Sequence, residues 1–374
     1  MSTAAESSSE SSSYGKITDE AIAQVSKTMG VERPLNQFNS TATEDTIRHY
    51  VLGLGEDNPR WLDSSYAAQT RWGGIIAPAT FVQSCGFPRA RGFPGVHGLF
   101  TGMDFHCHVP IKIGTRINAA SALHELKERH GKFAGREYQQ TYVTRYRDEA
   151  GQVLTTLYSH TFRTERMKVE KGRKYADIQP QSYADEELAK IEAGYRQELV
   201  NRRGARTLHY EDVALGDAMN EIVKGPLTIT DCICFVSGFG WVYAMPHRQW
   251  FEYRQRHPGV GSRNKYGIWD VPERVHWEED YAQEIGMPTV YDYGPQRIGW
   301  FDHAVSDWMG DAGWIRRLHV TLRAPNFIGD TTWIRGRIIK KLDAENCVEL
   351  DLRAEDQRGR VTALCQAEVV LPRL

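Results

Sequence analysis

One segment of the sequence occurs twice, late in each half of the chain. HVPIKIGT at residues 108–115 and RAPNFIGD at residues 323–330 share a basic residue, a proline, an isoleucine and a glycine at the same spacing. Alternating apolar residues follow each segment, and a glycine-containing turn at 147–152 or 355–360 leads into further strands. An apolar segment with helical spacing precedes each set of strands. The sequence therefore encodes the same structural unit twice.

The repeat predicts an α+β fold in which each copy is a helix followed by a meander of long antiparallel strands. A curved sheet wrapped around a central helix buries that helix, and two such sheets side by side cover each other's edges. We predict this architecture, a double hot-dog, with central helices near 77–85 and 295–309. Two unrelated α+β domains in succession are the alternative.

We divide the chain into four parts according to this repeat. Residues 1–14 form a tail rich in Ser and Glu, which we predict to be disordered. The first copy spans 15–166 and the second spans 207–374. Between them, a charged linker at 167–206 contains a predicted surface helix. A chain of 374 residues is long enough for two such units.

Composition and missing motifs exclude several classes of protein. The 46 basic and 48 acidic side chains give a net charge of -2, and the basic residues are scattered, so we expect no nucleic-acid partner. No stretch approaches the roughly 18 apolar residues of a membrane helix, so we expect no membrane association. The tail lacks the features of a secretory signal, which favours reduced thiols for the six cysteines and a cytoplasmic location. Motifs for nucleotide, dinucleotide, zinc-protease and serine-hydrolase chemistry are absent, so we predict no cofactor.

Several short segments lie at matching places in the two halves. The first half has GEDNPRWLD at 55–63 and GGIIAP at 73–78, and the second has VHWE at 275–278 and YDYGPQR at 291–297. As a set, these segments resemble the MaoC-like acyl dehydratases, which include the (R)-specific enoyl-CoA hydratases. The resemblance covers both halves and most of the chain. It implies a hydro-lyase that acts on a 2-enoyl or 3-hydroxyacyl thioester, with an acyl-CoA as substrate, and we expect a homodimer.

The family's hydratase motif is Gly-Asp-x-Asn-Pro-x-His, in which the Asp and the His act on water and substrate. This sequence divides the motif between its halves. The first half has Glu56 at the Asp position and Trp61 at the His position, which implies a degenerate site that, with Asp57, shapes the substrate tunnel. The second half keeps the histidine as His276, but Phe239 follows its Ser-Gly pair where we expect the Asp.

The second half therefore supplies the candidate catalytic residues. Hydration of a conjugated thioester needs a base, an acid and donors for the oxygen that becomes negative. His276 is the candidate acid/base because an imidazole titrates near ~6.5, and a plain hydrogen-bonding role is the alternative. Gly294 stands before a proline at a predicted helix start, and it is either an oxyanion donor or part of a tight turn. Asp292 is the first candidate for the missing carboxylate, followed by Glu278 and Asp302.

Arg297 and Tyr293 are the candidate substrate-binding residues of this half. Arg297 follows Gly294 by three residues and so lies on the same side of the predicted helix. Its guanidinium could hold a carboxylate or phosphate group of a ligand, or it could pair with Asp292 or Asp302. The sequence leaves these alternatives open.

Two further segments bear on function. His106-Cys107-His108 could suggest a metal, but alternate side chains of a strand point to opposite faces, so we expect none. The insertion at 241–272 is rich in aromatic and basic residues, and it is either a lid over the acyl group or a subunit-contact arm. Because the usual Asp is missing, the alternative function is a non-hydrating hot-dog protein, either an acyl-thioester binding subunit or a thioesterase.

Overall fold

The computed structural model describes residues 15–129, 136–165, 175, 177–240 and 245–374. The tail that we predict to be disordered, 1–14, lies outside these residues. The α-helices of the described residues are α1 Asp19–Ser26, α2 Glu44–Gly53, α3 Pro59–Leu62, α4 Ser64–Ala68, α5 Asp185–Asn201, α6 Ile229–Phe239, α7 His247–Arg256, α8 Glu279–Glu284 and α9 Gly294–Met309. Short 3-10 helices cover Ala79–Cys85, Tyr210–Asp212, Pro272–His276 and Asp343–Glu345.

Long antiparallel strands dominate both copies. The strands are β1 Arg33–Pro34, β2 His97–Cys107, β3 Asn118–Arg129, β4 Glu137–Arg147, β5 Val153–Thr164, β6 Ile222–Lys224, β7 Ser262–Arg263, β8 Trp269–Asp270, β9 Trp314–Leu322, β10 Thr332–Leu342, β11 Cys347–Asp356 and β12 Val361–Val370. Within the described residues they form one sheet in the order β1-β3-β4-β5-β2-β9-β12-β11-β10-β6, and β7 pairs with β8 separately. The order is nearly a mirror image about the contact between β2 and β9.

That central contact joins the two copies into one sheet. β2 pairs antiparallel with β9, with Gly102 opposite Thr321 and Phe105 opposite Leu318. A Cβ atom on Gly102 would lie 2.0 Å from the carbonyl oxygen of Val320, so no side chain fits at this point. The absence of a side chain lets the two strands approach.

The repeated segments adopt the same conformation at matching places. Gly114 has a φ of 88° and Gly329 has a φ of 86°, in the region that favours glycine. Gly114 precedes β3, and Gly329 precedes β10. The outer edge of β3 is paired with the short strand β1, and the outer edge of β10 is paired with the short strand β6. The predicted α+β double hot-dog, with twin copies, is confirmed.

The two central helices differ in length. In the second copy, α9 is sixteen residues long and all of its residues from Pro295 to Met309 are buried. In the first copy, the helix predicted near 77–85 is instead the 3-10 helix Ala79–Cys85. It ends at Gly86, which has a φ of 95°, and a proline two residues later cannot continue a helical hydrogen-bond pattern. The second copy thus supplies most of the helical core.

The helices that precede the central helices, α2 and α6, cross at a pair of glycines. A Cβ atom on Gly238 would lie 2.1 Å from the carbonyl oxygen of His49, and one on Gly53 would lie 3.0 Å from that of Cys234. Gly238 therefore has to be glycine for the helices to meet, and a side chain at Gly53 would be tightly packed. This contact joins the two copies in addition to the pairing of β2 with β9.

The segment between the copies contains a helix, and the insertion contains further elements. α5 lies within the predicted linker and its Tyr195 hydroxyl donates to the carbonyl oxygen of Gly225. α7, β7 and β8 belong to the insertion, and α7 buries none of its residues. All six cysteines are free thiols, as expected. Across the described ranges, no helix combines the length and apolar character needed to span a membrane.

Candidate active site

His276 ends the 3-10 helix Pro272–His276 and is half-buried. Its Nδ1 atom lies 2.8 Å from the carbonyl oxygen of Tyr291. A carbonyl oxygen only accepts hydrogen bonds, so Nδ1 must carry the proton and donate it. In the neutral ring this leaves a lone pair on Nε2, which is the form that a general base requires.

Two tyrosine rings enclose this imidazole. The His276 ring packs on Tyr293 with 3.7 Å between centroids and 31° between the ring planes, and the ring of Tyr291 meets it edge-on at 4.9 Å. Burial lowers the pKa of His276 from 6.5 to about 4, and the backbone bond opposes this shift only in part. The imidazole is therefore neutral near pH 7.

Gly294 is the first residue of α9, directly after the tyrosine that packs on His276. A Cβ atom here would lie 2.7 Å from Phe100 and 2.8 Å from Leu322, so the side chains of β2 and β9 reach the helix start. The first amides of a helix have no partner within the helix, and they favour negative charge. The beginning of α9 therefore fits the predicted oxyanion donor.

Asp292 does not have its predicted role. Its carboxylate accepts from Arg297, with Nε to Oδ2 at 2.7 Å and Nη2 to Oδ1 at 2.5 Å, and from the amide of Asn326 at 3.1 Å. Arg297 also donates to the carbonyl oxygens of Ala324 and Thr362. Both side chains are buried, so this pair ties the start of α9 to the loop of the repeated segment. The hypothesis that Asp292 partners the histidine is therefore wrong, and of the alternatives left open for Arg297 the structure has the pair with Asp292 rather than a contact with substrate.

The other two candidate carboxylates are also committed elsewhere. Glu278 accepts two bonds from the buried Arg274, at 2.9 and 3.0 Å. Asp302 accepts from the amide and the hydroxyl of Thr80 in the first copy, both at 2.7 Å. Neither therefore replaces the missing Asp beside His276.

Glu273 lies near His276 and was not predicted from the sequence. In a 3-10 helix, residues three apart lie directly above one another, so Glu273 is on the same side as His276. Its Oε1 accepts from Nη2 of Arg89 at 2.6 Å, while its buried Oε2 makes no hydrogen bond. Burial raises the pKa of Glu273, and burial also raises that of Tyr293, which packs on the imidazole. The spacing of three residues between Glu273 and His276, directly after Pro272, was the sequence signal that could have identified this residue.

An aromatic wall continues from the imidazole. Tyr293 packs on Phe235 at 5.6 Å, and Phe235 packs on Phe239 at 5.0 Å. Phe239 meets Phe87 at 6.3 Å, and Phe87 stacks on Phe100 at 6.0 Å. Tyr293, Phe235 and Phe239 are buried, so this row of rings belongs to the apolar core beside His276.

The matching site of the first copy has a different pair. Nε1 of Trp61 donates to Oε1 of Glu56 at 2.6 Å, and both residues are 2% exposed. Burial raises the pKa of Glu56 to about 7. An indole can only donate, so Trp61 cannot act as the base that the motif histidine would be. Asp57 points outward to Arg202 with 64% of its side chain exposed, so its predicted place in this site is wrong.

A pocket of the first copy lies against this pair. It is lined mainly by apolar residues of both copies, together with Arg60, Trp61, Asp302 and Ser306. The prediction that the first copy shapes a substrate tunnel involves this pocket, and it stays a prediction.

Comparison with known proteins agrees with this geometry. Residues 27–157 match the family model of the FAS1-like dehydratase domain region. The resemblance to the MaoC-like dehydratases is confirmed. A MaoC-like dehydratase structure is similar at 17% identity with a TM-score of 0.64, over 94% of this chain and 100% of that one. A MaoC domain protein dehydratase of Chloroflexus aurantiacus is similar at 10% identity with a TM-score of 0.60, over 92% and 96% of the chains.

A third similar structure is a conserved hypothetical protein of Mycobacterium tuberculosis with a double hotdog fold. The identity is 11% and the TM-score 0.56, over 91% of this chain and 96% of that one. No curated protein matches the sequence significantly. The family model and the names of the structural relatives support a hydratase or dehydratase in the broad sense.

The matching helices α2 and α6 show which residue of the second copy stands at the position of the missing Asp. Thr43 and Thr228 cap α2 and α6 by accepting from the amide three residues later. Twelve residues after each cap stands a glycine with positive φ, Gly55 at 69° or Gly240 at 73°. Glu56 follows the first glycine, so its counterpart is Trp241 rather than Phe239. Trp241 lies outside the described residues. Neither Phe239 nor Trp241 is a carboxylate, so the second copy has no carboxylate at the Asp position in either alignment.

Proposed function

We propose that this protein is a hydro-lyase that interconverts 2-enoyl and 3-hydroxyacyl thioesters, with an acyl-CoA as substrate. The observation that carries the proposal is the bond from His276 Nδ1 to the Tyr291 carbonyl oxygen. That bond leaves the Nε2 lone pair available beside the start of a buried helix. A base and an oxyanion donor are the two groups that addition of water to a conjugated thioester needs most.

In the hydration direction, His276 removes a proton from water as the water oxygen forms a bond to C3. The electron pair of the C2–C3 double bond moves toward the thioester, and the amide at Gly294 stabilises the negative oxygen. A proton is then added to C2. We assign this proton to Glu273 in its protonated form, which burial favours and the ion pair with Arg89 opposes; its Oε2 makes no hydrogen bond. Transfer of the imidazolium proton back to Glu273 through solvent restores both groups.

The test uses purified protein and a panel of 2-enoyl-CoA esters of increasing chain length. Hydration removes the conjugated thioester absorbance, and a thiol reagent reports any free CoA. We expect loss of absorbance without CoA release, and we expect the His276→Gln variant to abolish it. Release of CoA without hydration by the whole panel would contradict the proposal.

A non-hydrating acyl-thioester binding subunit is the second candidate. It is favoured by the division of the motif, since the first copy has Glu56 with Trp61 and the second has His276 with no carboxylate at the Asp position. Binding of enoyl-CoA by calorimetry with no turnover would support this candidate over the first. The homodimer, the cytoplasmic location and the lack of a cofactor stay predictions.

A further inference from the structure

A second polar cluster lies where both copies and the connecting helix meet. It consists of Glu56 from the first copy, Glu198 from α5, and His303 and Asp307 from α9, and we call it the junction cluster. Their exposed fractions range from 0% for His303 to 8% for Glu198. Ionisable groups at this depth need partners, because burial without them costs several kcal/mol.

Several atoms of the junction cluster have no hydrogen bond although they face one another. Nε2 of His303 lies 3.3 Å from Oδ2 of Asp307 and 3.4 Å from Oε1 of Glu198. His303 Nε2, Asp307 Oδ2 and Glu198 Oε2 are buried and make no hydrogen bond. In a tetrahedral site with metal–ligand bonds of about 2.0–2.1 Å, neighbouring ligand atoms lie about 3.3–3.4 Å apart. The observed separations match the spacing of ligand atoms around one ion.

The remaining atoms of these side chains are held by neighbours. Trp61 donates to Glu56 Oε1 at 2.6 Å, and Arg202 donates to Asp307 Oδ1 at 3.2 Å. Outer partners of this kind orient metal ligands and leave one atom of each side chain free to bind.

We propose that Glu56, His303 and Asp307 bind a divalent transition-metal ion of the Zn²⁺ class, with Glu198 as a fourth ligand. One ligand atom from each of the first three residues lies within 4.8 Å of the other two. An imidazole nitrogen with carboxylate oxygens is a donor set that Zn²⁺ accepts readily. The sequence offered no such expectation, because the four residues are separated by up to 251 positions in the chain.

Lys224 is the cation that competes for this site. Its Nζ lies 2.8 Å from His303 Nδ1 and 3.3 Å from the carbonyl oxygen of Gly55. A metal on Nε2 places the ring proton on Nδ1, which an ammonium group cannot accept. Lys224 therefore has to move aside or lose its charge when the metal binds, and it weakens binding.

The surroundings offer a path for the ion and a consequence of its binding. A small pocket beside the cluster is lined by Glu198, Arg202, Asn220 and Asp307, among others. A bound ion would connect the first copy, the connecting helix and α9. Because it binds only the folded chain, it should raise the melting temperature.

The test is calorimetric titration of the full chain with ZnCl₂ after treatment with a chelator, together with thermal unfolding. We expect one Zn²⁺ per chain and a rise in Tm of several degrees. The variants His303→Gln and Asp307→Asn should lose at least tenfold in affinity, whereas Glu186→Gln, at an exposed position of α5, should bind as the wild type does. Equal binding by wild type and His303→Gln would overturn the proposal.

Lys224→Gln tests the proposal without removing a ligand. Its amide oxygen can accept from His303 Nδ1 and it carries no charge, so we expect this variant to bind Zn²⁺ more tightly than wild type. No binding by either the wild type or Lys224→Gln would overturn the proposal. His276→Gln should bind Zn²⁺ normally, so this site and the proposed hydratase site can fail separately.

Discussion

The protonation of His276 gives a quantitative prediction for the pH dependence of activity. With a pKa of about 4, about 97% of the imidazole is neutral at pH 5.5. With an ordinary pKa near 6.5, only about 9% would be neutral at that pH. Because the base must be unprotonated, we expect kcat/KM for enoyl-CoA hydration at pH 5.5 to be close to its value at pH 7.

The assay is kcat/KM for the best substrate of the panel from pH 4.5 to 8, since this parameter reports ionisations of the free enzyme. The matched variant is Tyr291→Ala, which exposes the imidazole and keeps the backbone carbonyl that fixes its tautomer. We expect its acid limb to shift upward toward pH 6.5. An acid limb already centred near pH 6.5 in the wild type would refute the reasoning.

The same shift of pKa affects stability. In the unfolded chain the imidazole has its ordinary pKa near ~6.5, so below that value the unfolded state binds more protons than the folded state. The contribution of His276 to the free energy of unfolding is complete above this pH, and it is lost as the pH falls toward the folded pKa of about 4. Urea unfolding of wild type and His276→Gln at pH 7 and 5 measures the difference.

Three further substitutions follow from the contacts. Glu273→Gln should lower kcat about 10²–10⁴-fold with the fold retained, whereas the exposed Glu279→Gln should leave kcat unchanged in the same assay. Gly294→Ala should destabilise the protein by about 1–3 kcal/mol in urea unfolding, because its methyl group would overlap side chains of the sheet. Asp292→Asn should cost about 3–5 kcal/mol in the same measurement, since it leaves Arg297 buried with its ion pair broken. Unchanged stability of either of the last two variants would contradict the packing that we describe.

The parts of the fold that repeat were predictable from the sequence. Spacing alone matched Gly114 to Gly329, because both turns need the same left-handed backbone conformation. The start of α9 at Gly294 followed from the proline after it, which is favoured in the first turn of a helix. The turns and the helix start, which depend on the local backbone, were thus predictable from the sequence alone.

The side-chain partners were not predictable in the same way. Asp292 lies next to the active-site segment in sequence, but the structure directs it to Arg297, because both are buried and each needs an opposite charge. Glu273 was overlooked because the segment before His276 was not predicted to be helical, and its spacing of three from His276 has meaning only in a helix. The alignment that places Trp241 at the position of the missing Asp depended on the positive φ of Gly240, which a sequence does not reveal.

The most direct test of the proposed function is kcat/KM for enoyl-CoA hydration at pH 7 in the wild type and in His276→Gln. A glutamine keeps a donor for the Tyr291 carbonyl oxygen but cannot act as a base at this pH. We expect at least a hundredfold loss with the fold retained. A variant that hydrates the same substrates at the wild-type rate would show that His276 is not the base.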